Sequence, residues 1–299
     1  MRIGVCLVAS VSLAAGSAAA GTSGTFTVGF ASAAGDLGAV GNAVQTGILS
    51  GGFVARSLRW NGTLTSAPNA FFFEEDVYAS IEGPNGIGYT GPIAGEQGIV
   101  LGTTRFSGWS SGFTPASVSG DYRFEAYTPN TFANSTNWRI SQGDFAFDEA
   151  LFPLAESVSV GDTRKDTLSE GEILWYSIDH VGGGLHLSTG GSVITELDGA
   201  IQTDDTLIAL FDDTGSLVDF NDDANAGVST SELLFDSLEA GSYRLAVTGA
   251  TLGTRVGSSF ISTSHDGAGS IALSIAVPAP ASGVALALAG AFGSRRRRG

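Results

Sequence analysis

The sequence predicts an all-β protein built from two β-sandwich, jelly-roll-like domains, on three observations. Apolar residues fall in short alternating runs of strand length, and stretches at helical spacing are missing between residues 24 and 277. Glycine, at 43 of 299 residues, punctuates those runs together with Asp, Asn and Ser. The 4 tryptophans and 18 phenylalanines supply apolar area that a disordered chain of similar glycine content would lack.

Taken in order, the first domain spans residues 24–150. Its candidate strands are 25–30, 53–60, 76–82, 120–127 and 137–147. The segment from Asp76 to Gly86 sets a strand before a Pro84-Asn85-Gly86 turn. A later strand follows Gly120. These two features resemble the jelly-roll P domain attached to subtilisin-type convertases, a resemblance that implies sandwich topology and nothing further. Residues 146–156 close this domain and lead, through Phe152-Pro153-Leu154, into the next.

The second domain spans 157–277. Ile173 to Ile178, Leu207 to Phe211, Tyr243 to Val247 and Ile271 to Ile275 are strand-length runs. Asp212-Asp-Thr-Gly215 joins Leu207–Phe211 to a strand at 216–220 as a hairpin, with Gly215 where positive φ is wanted. The order is a Trp-Tyr strand, an Asp-Thr strand, Asn221-Asp222-Asp223 and then Leu238-Glu-Ala-Gly-Ser-Tyr243. It resembles the bacterial pre-peptidase C-terminal (PPC) family. That resemblance implies an accessory module of a secreted protein, one that binds or spaces and does not react.

Both ends read as addresses. Residues 1–20 carry Arg2, an apolar stretch and Ala18-Ala19-Ala20, the three parts of a secretory signal peptide cleaved by signal peptidase after Ala20. At the other end, 278–299, Pro278 and Pro280 precede an apolar run of about 11 residues, short of the roughly 20 that span a bilayer. Arg295, Arg296, Arg297 and Arg298 follow and favour an anionic cytoplasmic leaflet. This block, a short hydrophobic sorting helix ended by a basic stop, resembles the PEP-CTERM tails processed by exosortases. Ala279 stands where that family usually has glutamate. The resemblance implies export, transient holding at the inner membrane, cleavage by an exosortase-type sorting protease and delivery to the cell surface or beyond.

Charge and cysteine usage exclude several functions. Loss of Arg2 and the four C-terminal arginines leaves nine basic groups against thirty acidic ones, a net charge of −21. Such a surface repels nucleic acid. Cys6, the one cysteine, lies in the signal peptide, so the exported part has neither disulfide nor thiol nucleophile.

Candidate chemistry is sparse. Asp204, Asp205, Asn221, Asp222 and Asp223 lie on loops at one end of a hairpin and offer oxygen ligands suited to Ca²⁺. Asp212 and Asp213 belong to the opposite turn, and the competing role for all these carboxylates is capping turns. Gly108-Trp-Ser110-Ser-Gly112 matches a nucleophile-elbow pattern, but no strand-to-helix turn is expected there. His180, His186 and His265 form no metal motif, and Gly182-Gly-Gly184 lacks the lysine and helix of a phosphate loop. Asn61-Gly-Thr63 and Asn134-Ser-Thr136 are read as turns. Trp60, Trp109 and Trp138 are read first as core and second as a sugar-binding platform.

The functional expectation is a non-catalytic exported surface or matrix protein, with Ca²⁺ and exopolysaccharide as its candidate ligands. The alternative is a secreted glycoside or peptide hydrolase with a PPC-like accessory domain, its carboxylates drawn from Glu74, Glu75, Asp76, Asp121 and Glu125.

Overall fold

The computed structural model describes residues 23–33, 36–66, 72–73, 77–95, 99–100, 102–129, 138–196, 205–223, 229–250, 254–265 and 267–278. Residues 1–20 (expected as a signal peptide), Asp204, Pro280 and the four C-terminal arginines lie outside this set, as do Glu74, Glu75 and Asp76. The described residues are strand and turn throughout. Among them the one helical element is a 3-10 turn at Pro84–Gly86, at the position of the expected turn, with Asn85 at φ 58° and Gly86 at φ 77°.

In chain order the strands of the first half are β1 (Ser23–Ser32), β2 (Val44–Leu49), β3 (Val54–Ala55), β4 (Ser57–Ser66), β5 (Phe72–Phe73), β6 (Tyr78–Glu82), β7 (Gly88–Pro92), β8 (Ile99–Val100), β9 (Thr103–Ser110), β10 (Ala116–Ser117), β11 (Gly120–Tyr127) and β12 (Trp138–Asp148). Those of the second half are β13 (Glu156–Val158), β14 (Thr163–Leu168), β15 (Leu174–His180), β16 (Gly183–Ser188), β17 (Val193–Glu196), β18 (Thr206–Phe211), β19 (Leu217–Asn221), β20 (Glu232–Leu238), β21 (Gly241–Gly249), β22 (Thr254–Gly257), β23 (Phe260–Thr263) and β24 (Gly267–Ala276).

The first sandwich faces a six-stranded sheet, ordered β1-β12-β4-β9-β23-β22, onto a four-stranded one, β2-β11-β6-β7. Alternate residues of each strand point inward and form one core, with Phe26, Trp60, Phe106, Tyr122, Phe124, Phe145 and Phe147 as its bulk. Trp60 keeps its polar atom satisfied there, since its Nε1–H donates to the Ile93 carbonyl at 3.0 Å. Gly108 on β9 faces the same ring. A Cβ at that position would stand 2.3 Å from two ring carbons of Trp60, so only glycine fits.

The second sandwich pairs the sheet β13-β15-β21-β18-β19 with the sheet β14-β24-β16-β20, and β17 also pairs β24. Its core holds Tyr176, Ile178, Leu185, Leu187, Ile208, Leu210, Leu245, Val247, Ile271 and Leu273. The predicted hairpin is present: β18 pairs antiparallel with β19, and Gly215 has φ +88°. Asp212 organises that turn. Its Oδ1 accepts from the Thr214 N–H and hydroxyl and from the Ser216 N–H, at 2.9, 2.6 and 3.0 Å, and these bonds to the charged form depress its pKa against the opposing effect of burial.

One assignment needs correction. The hairpin β22–β23, residues 254–263, does not belong with the rest of 157–277. It extends the first sandwich, with Phe260, Ile261, Ser262 and Thr263 paired to Ser110, Trp109, Gly108 and Ser107 of β9. The reason is a third core between the sandwiches. Trp109, Leu207, Ala209, Phe211, Ala246 and Ile261 are buried together, with Phe152, Ile173 and Trp175 against them. Strand β18 therefore buries all six of its residues: Ile208 and Leu210 enter its own sandwich, and Leu207, Ala209 and Phe211 face the other.

The turn at 169–172 seals the junction. Gly171 (φ +62°) lies so near β9 that a Cβ would stand 2.9 Å from the Arg105 backbone carbonyl. His265 closes it from below. The residue is 1% exposed, and its Nε2 lies 3.2 Å from the Glu172 carbonyl. Burial pulls its pKa down from 6.5 to about 4. Between those values the unfolded chain binds a proton that the folded chain refuses, so stability falls as pH drops from 6.5 towards 4. The full loss is about 3 kcal/mol. Urea denaturation at pH 7 and pH 5 should show most of this loss, and His265→Gln should flatten it. An unchanged slope in the variant would assign the loss to other groups.

Candidate functional site

The outer face of the six-stranded sheet is divided in two. At the β9–β23 end the second sandwich covers Trp109 and Ile261, while the polar part over β12, β4 and β9 stays open. Strand alternation puts every second residue on this face. Register then aligns them into rows across strands: Thr27, Asp144, Asn61 and Ser107 form one, and Gln142, Thr63 and Arg105 the next. The opposite wall is the 169–173 turn with Trp175, and Pro153-Leu154 forms the lip. The result is a cleft of about 730 Å³.

Some of these side chains are already engaged. Thr27 donates to Asp144 at 2.7 Å, and the Ser107 hydroxyl donates to the Gly171 carbonyl at 2.6 Å, tying wall to floor. Glu170 accepts the Arg105 backbone N–H at 3.0 Å. Arg59 forks onto Asp148 with Nε and Nη2 at 2.6 and 3.1 Å, and the side-chain hydrogen bond to Asp148 is the main cause of its raised pKa. The Arg105 side chain is exposed and makes no ion pair among the described residues. Hydroxyl, amide and guanidinium groups beside an aromatic edge are the set that hydrogen-bonds and stacks on sugar-like ligands.

The sequence-predicted candidates fall elsewhere. Asp205, Asn221, Asp222 and Asp223 lie at one end of the β18–β19 hairpin, as expected, and Asp204 is outside the described residues. Asn221 Oδ1 accepts the Glu232 N–H at 3.1 Å, and the Asp222 carbonyl accepts from Ser231, so this stretch fastens β19 to β20. Among the described residues no three His, Cys, Asp or Glu side chains gather as a metal site would require. Pro278 follows β24 and packs near Gly184, and the rest of the expected sorting block, 279–299, is outside the described set.

Ser110 is 1% exposed at the end of β9, and no helix follows it. Its hydroxyl accepts the Gly112 N–H at 3.0 Å, which is turn chemistry. Glu125, one of the hydrolase candidates, is 1% exposed and accepts from Gly38 N–H, Asn42 and Arg123, so it staples the 36–42 loop. Asp121 is exposed on β11. The three tryptophans considered as platforms are all interior, at 1% (Trp60), 0% (Trp109) and 2% (Trp138) exposure. His180 is buried beside the Gly183 carbonyl, and His186 pairs with Glu232 at 2.6 Å.

One reading changes here, and Asn134-Ser-Thr136 lies outside the described residues. Asn61 and Thr63 occupy the middle of β4 and not a turn. Their signal was the strict alternation of Arg59, Asn61 and Thr63 with Trp60, Gly62 and Leu64, which marks a strand with one polar face.

No protein-family model and no curated protein matches the chain. Among solved structures it is similar to the pre-peptidase C-terminal domain of a collagenase from Bacillus anthracis, at 15% identity over 41% of this chain and 94% of that one, with a TM-score of 0.27. It is also similar to the CBM22-1-CBM22-2 tandem of Xyn10C from Paenibacillus barcinonensis (11% identity, 89% and 100% coverage, TM-score 0.26). A third is dimeric latent PorU from Porphyromonas gingivalis (14% identity, 79% of this chain and 21% of that one, TM-score 0.26). Likenesses of this strength carry no functional assignment.

Proposed function

We propose that this is a non-catalytic exported protein of the cell surface or extracellular matrix, and that it holds polysaccharide in the cleft between its sandwiches. A signal peptide at 1–20 and a PEP-CTERM-type tail at 278–299 supply the address, read by signal peptidase and an exosortase-type protease. The second half serves as a PPC-like module that walls the cleft. What supports the binding role is the polar ladder Asn61, Thr63, Arg105, Gln142 and Asp144, which lies on a rigid sheet facing Trp175. A sheet face needs no such concave, hydrogen-bonding surface for solubility alone.

Affinity electrophoresis in gels carrying neutral or acidic polysaccharides tests this. The protein should be retarded, and Asn61→Ala with Gln142→Ala should weaken retardation about tenfold, the equivalent of one or two hydrogen bonds. Release of reducing ends from the same polysaccharides would sink the non-catalytic role in favour of the hydrolase. For the address, a reporter fused to residues 278–299 should reach the envelope and lose its way when Arg295 to Arg298 become alanine.

A further inference from the structure

The exported chain has few cations, yet four of them border one place. Arg59, already paired with Asp148, and Arg105 line the large cleft beside Asp144, Glu170 and Glu172, and Arg56 and Arg244 line a second crevice of about 360 Å³. Pro153 and Leu154 border both openings, so the two meet at the linker. The crevice is otherwise formed by 150–155, Asp213 and Ser242, and Asp213 is its one carboxylate among the described residues. Neither Arg56 nor Arg244 makes an ion pair with it or with any other described carboxylate.

Arg244 is held in place without being neutralised. Its guanidinium lies 5.5 Å from the Phe152 ring centroid, and its Nη1 donates to the Tyr243 carbonyl at 3.1 Å. That leaves most of its five donors unused. Arg56 is exposed across the same opening. On a chain whose acids outnumber its bases about two to one, two unneutralised arginines at one mouth form a local positive site. Planar guanidinium groups suit bidentate recognition of carboxylate and sulfate.

We infer that the crevice at Arg56 and Arg244 is a subsite for the acidic group of the ligand, and that the polymer held in the neighbouring cleft is an acidic polysaccharide crossing the linker at Leu154. This rests on the cleft reading above and names its ligand class. The protein's net charge is negative and the cleft carries Asp144, Glu170 and Glu172 of its own, so the mouth at Arg56 and Arg244 is where an acidic group of the polymer is drawn in, while its hydroxyls meet the polar ladder.

The test is isothermal titration of the purified protein with polygalacturonate, dextran sulfate and neutral dextran of matched length, at low and physiological salt. Acidic polymers should bind at least tenfold tighter than the neutral one, with affinity falling as salt rises. Arg56→Gln with Arg244→Gln should remove that preference and leave neutral binding unchanged. Arg244→Lys keeps the charge but loses the fork, and should retain a few-fold preference. If neutral and acidic polymers bind alike, or the double variant still prefers acid, the subsite is wrong while the cleft reading stands. If none of the three binds, both fall. Tight binding of polygalacturonate without dextran sulfate would narrow the acidic group to a carboxylate. Unfolding of the double variant at the wild-type temperature keeps the comparison clean.

Discussion

Trp109→Ala is expected to cost about 3–5 kcal/mol, the range for removing a fully buried indole. The ring is 0% exposed and sits where three elements meet. It stacks on Phe152 with centroids 4.9 Å apart and planes 14° apart, and it meets Trp175 and Phe211 edge-on at 5.5 and 5.2 Å. Its Nε1–H donates to the Leu151 carbonyl at 2.8 Å, which fixes the linker against β9. Alanine would leave a cavity bordered by both sandwiches and a half-buried carbonyl without its donor, and neither sandwich can close the gap without moving against the other. Trp109→Phe refills most of the volume and forfeits the hydrogen bond, so a smaller loss of about 1–2 kcal/mol is expected. Chemical denaturation of both variants gives these values. A loss under 1 kcal/mol for alanine would mean that the inter-sandwich core contributes little. Polysaccharide retardation should weaken with stability, because Trp175 and the 169–172 turn that wall the cleft are positioned through this ring.

Much of this was legible in local sequence, and the limits are physical. The all-β class followed from alternation, and strand β11 occupies the predicted 120–127. The turns at Pro84-Asn85-Gly86 and Gly215 were legible because turn residues act locally, through fixed or positive φ at single positions. Leu207-Ile-Ala-Leu-Phe211 carried more than was taken from it: an unbroken apolar run of strand length means burial on both faces, and so a second surface against this sheet. What had no local marker was the partner. Trp109 and Ile261 pair across about 150 residues of chain, and nothing in Phe260-Ile-Ser-Thr263 says which sheet it will join. The cleft was hidden for the same reason. Asn61, Gln142 and Arg105 become neighbours only through register, and in sequence each looks like an ordinary outward-facing strand residue. The acidic stretch 204–223 drew attention because its residues are adjacent, yet contiguous carboxylates most simply cap the turns they sit in.

Residues 157–278 produced alone should fail to give a monomeric, cooperatively melting domain, and residues 23–150 alone should fare no better. A module with the expected boundaries carries one core, but here its outer sheet face presents Leu207, Ala209, Phe211 and Ala246 beside Ile173 and Trp175. Freed of the first half, that face becomes a contiguous apolar patch of the kind that drives association. The hairpin β22–β23 also loses β9, its pairing strand in the first half among the described residues, and a detached two-stranded ribbon is marginal in water. In the other fragment Trp109 is exposed and β9 turns into an open edge. Each large side chain returned to water forfeits about 1.5–3 kcal/mol, and several do so at once against a whole-domain stability of about 5–15 kcal/mol. Size-exclusion chromatography and thermal melts of the two fragments against the intact protein decide the matter. A fragment 157–278 that elutes as a monomer and melts within a few degrees of the whole would make the third core dispensable. The expected failure has a direct bearing on the cleft: its floor and its wall belong to one folding unit, so the groove is held at fixed width and does not open and close as a hinge between two beads.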